Sequence, residues 1–116
     1  MIPGKLSLVP FTEGDDWAGI PSLTITVNGV APPSAIASVR MRFKKAGAVP
    51  SAVVELISTN ALQINILNAA TWHFRLPEQT IPGLTFGKWA WRIRITSAAG
   101  RTRTFLADEI TVLETV

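Results

Sequence analysis

The sequence predicts an all-β protein, a single antiparallel β-sandwich of about seven to eight short strands that takes in residues 1–116 as one domain. Three observations predict it. Two stretches alternate apolar and charged residues at period two. Short β-branched runs recur between turns drawn from eight glycines and eight prolines. No stretch carries the periodicity of an amphipathic helix. A chain of 116 residues can bury roughly two-thirds of its unfolded surface, enough for one core without staples.

Taken in order, Lys5–Phe11 is expected as a short first strand, with Pro10 placing it at a sheet edge because proline cannot donate to the ladder. Glu13-Gly14-Asp15-Asp16-Trp17 reads as a polar turn. It leads into a second strand fixed at its start by Trp17, with the Leu23, Ile25, Val27 alternation following Pro21 and Asn28-Gly29 closing it. From Ile36 a third strand sets Ala37, Val39, Met41 and Phe43 on one face and Ser38, Arg40, Arg42 and Lys44 on the other. Lys45–Pro50 is a loop. Val53–Ser58 and Leu62–Leu67 are expected as a hairpin around Thr59-Asn60, with Leu62, Ile64 and Ile66 on one face. Asn68–Thr71 breaks the pattern, Trp72–Leu76 is a short strand, and Pro77–Gly87 is a loop containing Pro82-Gly83.

The strongest signal is the stretch from Lys88 to Val112. Trp89, Trp91, Ile93 and Ile95 share one face, while Lys88, Ala90, Arg92, Arg94 and Thr96 share the other. Gly100 supplies the permissive φ of a short turn, and Arg101 onward folds back as the final strand. Phe105 and Ala107 have one parity and Ile110 and Val112 the other, so a β-bulge is expected near Ala107–Glu109.

Composition narrows the function. There is no cysteine, which excludes disulfides and thiolate metal sites. No signal-peptide pattern opens the chain and no stretch approaches the ~20 apolar residues that span a bilayer, so neither secretion by that route nor membrane insertion is expected. His73 is the single histidine and lies in a strand-like run with no cue for a catalytic partner, so no catalytic residue is assigned. Asp15 and Asp16 have too few neighbouring oxygens for a calcium site and read as a solvated turn. No metal or cofactor is expected. Of the four tryptophans, Trp89 and Trp91 are expected as core residues. Trp17 and Trp72 belong either to the core or to the rim, where with His73 they could form a sugar platform.

Arg40, Arg42, Lys44, Lys88, Arg92, Arg94, Arg101 and Arg103 make up eight of the eleven basic residues. If their strands are neighbours, they build one basic sheet surface suited to an acidic protein partner. Nucleic acid ranks last as a partner, because no aromatic residue shares the charged face for bases to stack on.

The order of these pieces resembles the N-terminal immunoglobulin-like domain of phage baseplate upper proteins and related small phage tail structural proteins. The resemblance rests on Glu13–Trp17 leading into a strand, on Val39-Arg40-Met41-Arg42-Phe43, on Gly87–Ile95, on Gly100–Phe105 and on the closing Ile110–Val112. It implies an immunoglobulin-like sandwich and a non-enzymatic virion structural protein, made in the host cytoplasm. Such a protein would dock onto or connect tail or baseplate components or anchor a tail fibre, with other phage structural proteins as partners in several copies around a ring. Capsid decoration and a carbohydrate-binding sandwich are the alternatives.

Overall fold

The computed structural model describes residues 6, 8, 10–26, 29–30, 32–47 and 52–114. Along the chain these form β1 (Phe11–Thr12), β2 (Ile20–Thr24), β3 (Ile36–Lys45), β4 (Val53–Ile57), β5 (Asn65–Asn68), β6 (His73–Leu76), β7 (Gly87–Ser97) and β8 (Thr102–Leu113). They make two sheets. One has five strands in the order β1-β8-β7-β3-β4, and the other has three in the order β2-β6-β5. Every pairing is antiparallel except that of β1 with the end of β8. The fold is an all-β sandwich.

Period-two patterning decides which side of each long strand is buried. Val39, Met41 and Phe43 of β3 and Trp89, Trp91, Ile93 and Ile95 of β7 are shielded almost completely, and Ile110 and Val112 of β8 complete that layer. Phe74 and Leu76 of β6, Ile20 of β2 and Ile64 form the opposing layer, so one hydrophobic cluster joins both sheets. Trp17 closes one end: its backbone exchanges hydrogen bonds with Gln79 at 2.8 and 3.0 Å, and its ring meets Phe43 edge-on at 6.3 Å between centroids. Burying a side chain of this size is worth on the order of 2–3 kcal/mol.

The expected hairpin around Thr59-Asn60 does not form. β4 pairs with β3 in the larger sheet, whereas β5 pairs with β6 in the smaller one, so residues 58–64 cross between layers. Local hydrogen bonds, one from a side chain and the rest from the backbone, hold the crossing. Gln63 Oε1 accepts the Ile57 N–H at 3.1 Å, and the Asn60 carbonyl accepts the N–H groups of Gln63 and Ile64. The outward groups of Ile57 are thereby taken by the turn rather than by another strand. Leu62 is correspondingly exposed in the turn and does not share a face with buried Ile64.

Smaller corrections follow from register. Ala37 is the extra residue of a bulge against β7, which turns Ile36 inward and leaves Ala37 exposed. In β8 the extra residue is Phe105, between the pairs Arg94↔Thr104 and Ile93↔Leu106, a little before the expected Ala107–Glu109. Trp72 precedes β6 in a turn at φ 56° instead of starting the strand. Of the expected first strand, Lys5, Ser7 and Val9 lie outside the described residues and only Phe11 is in a strand; Val27, Asn28 and Pro50 also lie outside them.

Candidate protein-docking face

β3 and β7 are adjacent at the middle of the larger sheet, and their polar sides point away from the core. Paired residues on neighbouring strands project from the same side of a sheet. The register sets Arg40 opposite Arg94, Arg42 opposite Arg92 and Lys44 opposite Ala90. Lys88 extends the row at the far end of β7, paired with Thr111. Six of the expected basic residues therefore share one outer surface, and all six are exposed.

Carboxylates sit only at the flanks. Glu55 on β4 reaches Arg40 at 3.7 Å, and Glu109 on β8 reaches Lys88 at 3.5 Å. Both contacts are solvent-exposed and contribute little to stability. Among the described residues, Arg42, Arg92 and Arg94 have no carboxylate within ion-pair distance. A shallow hollow of about 710 Å³ opens among Arg42, Lys44 and Arg92 on one side and Glu109 on the other. Ala90 and Ala107 line it as well, small side chains that leave the space unfilled.

Arg101 and Arg103 do not join this surface. Arg103 pairs with Ile95, a core residue, so it projects from the opposite side of the sheet; Arg101 lies at the turn beside it, and both line a separate groove. The bulge at Phe105 is the reason, because one extra residue reverses the parity of everything before it relative to Ile110 and Val112. Lys45, expected in the loop, is instead the last residue of β3; its Nζ donates to Thr85 Oγ1 at 2.7 Å and stands 5.6 Å from the Phe86 ring centroid. Glu55 and Glu109 were the members that sequence reasoning missed. The strand partners of β4, read by parity, were the available signal for Glu55.

The other candidate positions resolve plainly. All four tryptophans are buried, Trp17 and Trp72 at 3% exposure and Trp89 and Trp91 at 0% and 2%, so no indole face is open to a sugar. His73 Nε2 lies 2.9 Å from Ser22 Oγ on the outer side of the smaller sheet. Asp16 accepts a hydrogen bond from Thr80 Oγ1. Among the described residues no group of three or more His, Asp or Glu side chains converges as a metal site, and no helix is long and apolar enough to cross a membrane. Compared with protein-family models, curated proteins and solved structures, the chain matches none.

Proposed function

We propose that this chain is a non-enzymatic phage virion structural protein, an immunoglobulin-like module that docks through the outer face of β3 and β7 onto an acidic surface of a tail or baseplate component. The observation that carries the reading is the pair of arginine rows, Arg40 against Arg94 and Arg42 against Arg92. Like charges placed directly opposite each other on a sheet are unfavourable in the free protein. An acidic partner would relieve that repulsion, which makes the arrangement complementary to a partner rather than to water.

The strand order supports the immunoglobulin-like part of the reading. In such sandwiches the last two strands and the third form one sheet with an added edge strand, and the second strand belongs to the other. The adjacency β8-β7-β3-β4 over β2-β6-β5 follows that order. The stretches that carry the family resemblance also fall on corresponding elements: Glu13–Trp17 leads to β2, Val39–Phe43 lies within β3, and Gly87–Ile95 lies within β7. Repetition around a symmetric ring would turn a modest single contact into stable assembly. The protein would be made in the host cytoplasm and incorporated into the virion.

The test is density-gradient fractionation of lysate from producing cells, with copies per particle counted by quantitative mass spectrometry. The expected result is co-banding with particles at a copy number of tail-ring size, lost when Arg92→Glu and Arg94→Glu are combined in a chain that still folds. A count of capsid-lattice size would transfer the reading to decoration, and absence from particles would end it.

A further inference from the structure

The end of the sandwich at the β7–β8 turn carries a second feature, on the other side of β8 from the basic face. A groove of about 610 Å³ opens there. Val30, Pro32, Pro33, Trp72 and Phe105 line it, together with Arg101 and Arg103. Val30 is 67% exposed, so it offers the groove an apolar surface.

The groove is held open by fixed structure. Trp72 Nε1 donates to the Ser34 carbonyl at 2.6 Å, and the Ala98 N–H donates to the Ala35 carbonyl at 2.8 Å, which ties the proline segment to both the core and the β7–β8 turn. Trp72 is the single non-glycine residue with positive φ among the described residues, at 56°. A bulky aromatic residue holds that conformation only where its surroundings enforce it, and such strain gathers at ligand clamps.

One further property specifies what the groove takes. Arg101 and Arg103 are exposed and have no carboxylate within ion-pair distance among the described residues. Apolar walls beside two such cations are complementary in charge and character to a chain segment that carries apolar and acidic residues together.

We infer that this groove binds an extended segment of a partner protein in which apolar residues adjoin carboxylates. The apolar residues lie against Val30, Pro32 and Phe105, and the carboxylates meet Arg101 and Arg103. Nucleic acid fits poorly, since the Trp72 ring is buried and offers no stacking face. The site is independent of the basic outer face, so a partner could be held at both.

The test uses the full chain and three fluorescein-labelled synthetic peptides with Gly-Ser flanks, read by fluorescence anisotropy. Their centres are Leu-Val-Glu-Asp, Leu-Val-Lys-Lys and Ser-Ser-Glu-Asp. Saturable binding of the first is expected, with each of the others weaker by about tenfold or more. Arg101→Glu combined with Arg103→Glu should weaken the first peptide by a similar factor, whereas Arg92→Glu with Arg94→Glu should leave it within about twofold. Binding should also shift the Trp72 indole N–H resonance. Absence of saturable binding, equal binding of the lysine peptide, or loss through the Arg92 and Arg94 changes instead would each overturn the inference.

Discussion

Phe105, the extra residue of the β8 bulge, packs edge-on against Trp72 with ring centroids 5.1 Å apart and planes at 77°. The contact joins the larger sheet to the turn before β6, where Trp72 holds its positive φ. Replacing Phe105 with alanine removes a half-buried ring and an aromatic pair, and should lower unfolding free energy by about 2 kcal/mol. Urea denaturation followed by tryptophan fluorescence would measure it.

Trp89 and Trp91 face the same core but differ at their polar atoms. Trp89 Nε1 donates to the Thr85 carbonyl at 2.8 Å, while Trp91 Nε1 is buried without a hydrogen-bond partner among the described residues. Removing a satisfied donor strands its acceptor, whereas removing an unsatisfied one relieves a desolvation penalty. Trp91→Phe should therefore cost about 1 kcal/mol less than Trp89→Phe, once the similar loss of ring volume is set against itself. Equal costs in parallel denaturation curves would count against this account.

Gly19 has φ 75°, and a Cβ built there would lie 2.2 Å from the Leu76 carbonyl oxygen and 2.8 Å from that of Pro77. Both are backbone atoms and cannot swing aside. Gly19→Ala should destabilise by about 3 kcal/mol. The same change at Gly14, also at positive φ but with open space around it, should cost only about 1 kcal/mol. Thermal unfolding of the two variants side by side is the check.

The arginine rows make stability depend on salt. Arg92→Thr relieves repulsion with Arg42 and loses no opposite carboxylate, since its other neighbour is Ala107, and should raise stability by a few tenths of a kcal/mol at low ionic strength. The gain should vanish near 1 M salt, where screening acts within about 3 Å. A gain that persisted at high salt would have to come from something other than charge.

The burial of all four indoles predicts a blue-shifted emission and weak quenching by acrylamide in the folded chain. Strong quenching at native conditions would place at least one ring in water and reopen the sugar-binding reading.

The final strands, and the core they present, were legible in the chain alone. The alternation from Lys88 to Thr96 sets Trp89, Trp91, Ile93 and Ile95 inward with no reference to any other element, because side chains on a strand change sides at every residue. The same rule placed Arg40, Arg42, Arg92 and Arg94 on polar faces. It also held a warning: Arg103 and Phe105 have the same parity, so a straight strand that buries one must turn the other to the same side.

Tertiary structure decided what parity cannot reach. Whether β4 and β5 would pair depended on Gln63 and Asn60 occupying the backbone of Ile57, a local competition between side chain and ladder that hydrophobic patterning does not record. The location of the β8 bulge depended on what Phe105 meets across the sandwich, which is Trp72 from a distant part of the chain. That single extra residue sent Arg101 and Arg103 to the groove at the end, away from the six cations that β3 and β7 hold on the outer face. The sequence determined two-sided strands, since alternation is a local property of the backbone. The structure determined which strands are neighbours and in what register, since those depend on contacts between residues far apart along the chain.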